Sequence, residues 1–392
     1  MGDRPGAHHR TRQPGAPAGD LPFAVEIYVG NKLAKKLYSG RAPCCSGVDQ
    51  IVFEVPPDAP TGCYVPVQVK VASTYSNIVT MAISADGGSC TSPLNPFSEI
   101  TGAGGKSGSI VLVRGNVLAQ VQANQPPLDL TLDLGLGLFQ QSQAVGDLGY
   151  NPLLSMPPVG TCTASIGNLD LGALLGTGLG GEVPGQEGVL GRELDAGKEL
   201  TVTGPKGNSI PLPKLNAEEN KGPYAGLLGG AIPLEGAQSL PLFLDGGRYT
   251  VSGPGGKDVG PFKATIDIPA PLQWTNRNQI TSIDRSAGLT LTWSGGDPGQ
   301  QMVLIAGGSS DQKSKASGGF ICFVPAAGGS YTVPPSVLGN LPPSVADKPE
   351  DSIGALLFGT IPAGNYAKFT ATGLDAGYVF YSSLNAKTVP YK

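Results

Sequence analysis

Short apolar runs of period two, separated by Gly, Pro and Asn turns, recur along this chain and constrain its fold more than any other feature. Alternation sends successive side chains to opposite faces, so each run is a half-buried strand, and no helical period competes. "FAVEIYV", the turn "GNK" and "KLAKKLYSG" read as a hairpin. "QIVFEVP" puts Ile51, Phe53 and Val55 on one face, and "YVPVQVKV" does the same for Val65, Val67, Val69 and Val71. "NIVTMAIS" completes a set of five strands, a small β-sandwich over 21–90. The 59 glycines and 36 prolines, roughly a quarter of 392 residues, fit many short strands and many turns.

Chain length predicts two or three domains. Residues 1–20 lack periodicity and read as a disordered segment, and 91–107 read as a linker. From 108 to 270 the clear strands are "SIVLVRG", "TCTASIG", "ELTVTG", "GRYTVSG" and "FKATIDI"; Gly/Leu stretches such as "LGALLGTGLGGEVPG" between them read as long loops. Residues 271–392 hold seven evenly spaced runs, from "LTLTWSG" to "GYVFYSS", and read as a second Ig-like sandwich. The expected fold class is all-β, with tandem Ig-like β-sandwich domains.

Several function classes fall away on composition. Charged residues make up 14% and the net charge is −4, so no basic surface exists to displace counterions from nucleic acid. The two histidines, His8 and His9, lie in the opening segment, which nearly excludes a folded site using imidazole as base or metal ligand. No stretch of about 18 apolar residues predicts a membrane-spanning helix.

Individual motifs carry little chemistry. "TGAGGKSGS" at 101–109 has Ile100 where a phosphate loop needs its first glycine, and a strand rather than a helix follows. Asp129, Asp133 and Asp170 are carboxylates, but no calcium loop surrounds them. On one strand Asp129 and Asp133 would stand about 13 Å apart on the same face, so surface solvation is the expected role. No catalytic residue, cofactor or metal site is assigned.

Aromatic rings could stack on sugars. The two tryptophans are Trp274 and Trp293, and Tyr378, Phe380 and Tyr381 cluster near the end. Trp293 shares a face with Leu289 and Leu291 and is expected in the core. Trp274 follows a Pro-rich linker and is expected as an interdomain wedge, with a candidate ligand-binding role.

Six cysteines, an even number, favour an oxidising compartment. Cys44, Cys45, Cys63 and Cys90 lack zinc-site spacing, and no histidine is available to activate a thiol. Crosslinking remains. The strands 64–71 and 78–84 form an expected hairpin in which opposed positions sum to about 149. That brings Cys63 near position 86 and within reach of Cys90, a disulfide worth on the order of 3 kcal/mol in the entropic account. Cys44 and Cys45 are left as a vicinal disulfide or two free thiols. The vicinal bond is favoured and expected to reduce easily. Cys162 and Cys322 fall in different expected domains and read as buried thiols rather than partners.

The run "LYSGRAPCCSGVDQIVFEVPPDAPTGCYVPVQVKVASTYSNIVTMAIS" resembles a TIG/IPT-type Ig-like module of bacterial secreted proteins, with its "YxGRAP" turn, "GxDQI", "GC" turn and "SNxVT". "GRYTVSGPGGKDVGPF", "LTWSGGDP" and "FICFVPAAGGSYTVPPSVL" resemble the domain that follows that module. The resemblance implies an exported protein with no assigned activity, so the lack of a signal peptide is read as a truncation. It implies an extracellular or cell-surface place. The expected function is a non-enzymatic β-sandwich array, structural or adhesive. The alternative is a carbohydrate-binding or accessory module of a larger secreted enzyme. Partners would be a cell-surface protein or a polysaccharide.

Overall fold

The computed structural model describes residues 21, 23–42, 44–45, 47–92, 105–119, 128–141, 156–166, 192–216, 221–230, 239–311, 313–344, 352–363 and 366–392. The expected tail with His8 and His9, the stretch 171–185 and Asp170 lie outside these residues. The fold is all-β, in several sheets.

The first sheet contains β1 (Val25–Val29), β2 (Lys32–Arg41), β3 (Asp49–Glu54), β4 (Gly62–Val71), β5 (Thr74–Tyr75) and β6 (Val79–Ile83). Its order is β3-β2-β1-β4-β5, with β6 also on β4. Gly30 and Asn31, at φ 58° and 64°, make the tight turn between β1 and β2. Two left-handed residues match the natural twist of a hairpin, and glycine and asparagine tolerate that conformation best. Val25, Ile27 and Val29 then face Val71, Val69 and Val67 across β4. An irregularity between Lys36 and Tyr38 interrupts the β2 ladder, and on either side of it Phe53 and Ile51 of β3 pack on the same core.

The remaining strands are β7 (Lys106–Ala119), β8 (Leu128–Gln141), β9 (Thr161–Ile166), β10 (Arg192–Glu193), β11 (Glu199–Thr203), β12 (Ser209–Asn216), β13 (Lys221–Gly230), β14 (Gly247–Gly253) and β15 (Phe262–Ile268). They continue with β16 (Leu272–Trp274), β17 (Leu289–Gly295), β18 (Gln301–Asp311), β19 (Ala316–Pro325), β20 (Ser330–Val333), β21 (Ser352–Pro362), β22 (Ala367–Phe369) and β23 (Ala376–Thr388). One short helix, α1 (Pro335–Leu338), follows β20.

Fourteen of these strands form one sheet, ordered β15-β14-β11-β12-β13-β8-β7-β23-β21-β18-β19-β9, with β10 on β8 and β22 on β23. The expected boundary at 270 therefore separates no sheet. β7 pairs with β23 and β9 with β19, across it. The expected linker also ends early, because Lys106 already opens β7.

The first half of the large sheet curls until β15 returns against β22, where the rings of Phe262 and Phe369 stack at 4.4 Å. Inside the curl Phe139, Phe262 and Phe369 each stand directly opposite a glycine on the neighbouring strand: Gly108, Gly253 and Gly377. A Cβ on Gly108 or Gly377 would lie 2.6 Å from the facing ring. Glycine lets each ring lie down over its partner strand, and the three rings then close one end of the core.

In the second half, β21, β18, β19 and β9, with the residues just after β23, pack against a three-stranded sheet of order β16-β17-β20. This is a β-sandwich. Its middle holds Phe358 between Trp274 at 5.5 Å and Trp293 at 5.8 Å. Tyr391, fully buried, slides over Gly307 and Gly354 and donates its hydroxyl to the Ala355 carbonyl at 2.8 Å.

Candidate functional site

Three disulfides account for all six cysteines. Cys63 is joined to Cys90 and Cys44 to Cys45. The hairpin register differs from expectation. Val67 stands opposite Val79, three residues short of the expected partner, and the residues after β6 span the difference to Cys90. Cys44 and Cys45 lie exposed between β2 and β3, beside the backbone bond from Ala42 to Val48 at 2.9 Å.

Cys162 and Cys322 are not free thiols but a third disulfide, which corrects the sequence reading. They are direct cross-strand partners on β9 and β19, fully buried, with Cα atoms 4.0 Å apart. A separation of 160 residues and the supposed domain boundary hid a pairing that only the shared sheet creates.

The same cysteine anchors the first sheet. The Asn31 side-chain amide donates to the Cys162 carbonyl at 3.3 Å and accepts from its amide at 2.6 Å. Asn31 thus satisfies both backbone groups of one residue, as a neighbouring strand would. Gly62 lies against Pro158, Tyr75 against Gly339, and Ile78 packs on the sandwich core.

Trp274 is buried, in contact with Phe358, and its Nε1 donates to the Asn276 Oδ1 at 3.0 Å. It wedges between the two layers of the sandwich rather than between domains, and presents no open face to a sugar. Trp293 is in the core as expected, donating to the Ala326 carbonyl at 2.7 Å. Tyr378 and Tyr381 are buried, and Phe380 is half-buried.

Asp133 also departs from the sequence reading. It is fully buried, because on the curled sheet the inward face of β8 is a core face. Its carboxylate receives a two-pronged bond from Arg114 on β7, at 2.7 and 2.8 Å, and two backbone amides, Phe243 at 2.6 Å and Leu244 at 2.8 Å. Arg114 reaches on to Asp245 at 3.1 Å, and hydrogen bonding to Asp133 raises its pKa further. Burial pushes the neighbouring Tyr381 hydroxyl up to about 12. Asp129, nearer the strand end, is exposed and accepts from Asn116 at 2.8 Å.

Two further charged knots escaped the sequence reading. Asp195, before β11, accepts from Lys214 at 2.7 Å and from the amides of Gly197 and Lys257, both at 3.1 Å. Partial burial opposes its ionisation, yet these donors hold its pKa at about 2. On the other side Arg277 donates to Asn116 and, at 2.8 Å, to the Ala386 carbonyl, while Lys387 donates to the Arg277 and Ile280 carbonyls at 2.8 and 2.7 Å. Burial lowers the pKa of both cations, and for Lys387 the nearby Arg277 adds to it. A single Arg or Lys within an apolar strand, as in "VLVRGNV" or "SLNAKTV", is the one sequence signal that could have flagged these buried charges.

Among the described residues, no three His, Cys, Asp or Glu side chains are placed to hold a metal ion. A depression between Pro269, Gln301, Pro362 and Tyr381 has a volume of about 20 Å³, room for little more than a water. No described helix is long and apolar enough to cross a membrane. What the described charged clusters do is fasten strands and loops to one another. No protein-family model matches the chain, and no curated protein is similar to it.

Proposed function

We propose that this protein is a non-enzymatic, extracellular array of β-sandwich modules with a structural or adhesive role, of the kind that the TIG/IPT-like resemblance implies. The observation that carries the proposal is the pairing of all six cysteines: bonds in the first sheet and across the large sheet suit an oxidising environment. The alternative, a carbohydrate-binding or accessory module, loses its candidate residue now that Trp274 is buried.

The test is alkylation of thiols in cells that make the protein, before lysis, followed by mass mapping of its six cysteines. Full protection, together with surface shaving by an external protease, supports the proposal. Six alkylated thiols would place the protein in a reducing compartment and overturn it.

A further inference from the structure

We infer that β7 and β23 form a mechanical clamp, through which the large sheet carries tension; the inference deepens the structural role proposed above. The two strands run parallel, in continuous register from Ala376 opposite Ser107 to Lys387 opposite Leu118. β7 is the first strand after the N-terminal sheet, and β23 is the last described strand.

Tension entering at the start of β7 and leaving at the end of β23 would drag these parallel strands past one another. Every rung of the ladder is then loaded together. If the same two strands were pulled apart from one end, the rungs would open one after another. Evenly spaced, slanted bonds along a parallel ladder share such a load.

The surroundings fit a loaded joint. The pair lies in the interior of the sheet, between β8 and β21, so neither strand can peel away as a free edge. Both ends are pinned. At the start, the Asp375 carboxylate accepts the Lys106 amide at 2.7 Å, and the Lys106 carbonyl accepts the Asp375 amide at 2.8 Å. At the far end, Arg277 holds Asn116 of β7 and Ala386 of β23 with one guanidinium. Between the pins, Leu112, Val379 and Tyr381 are buried in one core.

Single-molecule force spectroscopy on the oxidised full chain tests the clamp by changing only the direction of pull. Handles at Gly105 and Thr388 load the ladder in shear, whereas handles at Gly105 and Ala376 open it from its first rung. The shear arm is expected to rupture at a several-fold higher force, and Arg277→Ala to lower that force. Repeating the pull with a thiol reductant present adds the 160-residue span between Cys162 and Cys322 to the released length, about 550 Å at 3.3–3.6 Å per residue. Equal forces in the two arms, or a shear arm that yields first elsewhere in the chain, would overturn the clamp. Thiols protected in cells alongside equal forces would leave the extracellular reading standing and remove only the mechanical one.

Discussion

Asp133 is fully buried, and its two carboxylate oxygens are engaged by four donors. Removing one partner of a buried pair leaves the other charge uncompensated, which typically costs about 3–5 kcal/mol. Arg114→Ala, which strands the fully buried Asp133 carboxylate, should therefore lower unfolding stability by that order in urea titrations, with a loss below about 1 kcal/mol counting against a buried pair. The cysteines divide by the same logic. Cys44 and Cys45 are adjacent, so their bond closes almost no chain and constrains the unfolded state little, whereas the Cys162–Cys322 bond spans 160 residues. Replacing Cys44 and Cys45 with serine should change stability by less than about 0.5 kcal/mol. Replacing Cys322 with alanine should cost about 2–5 kcal/mol. Under graded reductant, peptide mapping should find the exposed vicinal pair opened first.

Loops and strands are joined through Asp195. Its backbone also takes part: the carbonyl accepts from Asp258 and Val259, both at 3.0 Å, and the amide donates to the Asp258 carboxylate at 3.0 Å. This ties the entry to β11 to the loop between β14 and β15, while Lys214 brings in β12. A carboxylate whose folded pKa is depressed stabilises the fold above its unfolded pKa, near 4. That contribution is lost as pH falls towards about 2, the folded value of Asp195. Between those limits Asp195→Asn should flatten the dependence of melting temperature on pH, and an unchanged slope would show that the knot is not coupled to folding. The strands of this region were unevenly legible. β14 and β15 alternate cleanly and are evident in "GRYTVSG" and "FKATIDI". β12, "SIPLPKLN", and β13, "KGPYAGLLGG", carry proline or glycine where local propensity opposes a strand, and the sheet overrides it.

At the scale of the molecule β23 is the common member. It contributes Val379 and Tyr381 to the core of the curled sheet and Leu384 to the cluster shared with β18, β19 and β21. Just beyond its end, Val389 and Tyr391 belong to the sandwich core. Deleting residues 376–392 should therefore abolish cooperative unfolding of the whole large sheet rather than of its last strand. A calorimetric transition surviving at near-native enthalpy would show that 106–268 folds alone. Tyr391→Ala, which empties one buried site in the sandwich, should cost about 3–5 kcal/mol.

The class of structure and most of the strands were legible in the amino-acid pattern, because period-two alternation, turn residues and side-chain parity act over a few residues. That pattern also placed Trp293 in the core, joined Cys63 to Cys90 and favoured the bond between Cys44 and Cys45, all questions of short range. Which strands share a sheet emerged only from the folded molecule. The pairing of β7 with β23, the bond between Cys162 and Cys322, and the burial of Asp133 and Trp274 all arise when segments far apart in the chain meet. Local alternation tells which face of a strand is apolar, but the identity of the neighbour is set by the closure of the whole sheet.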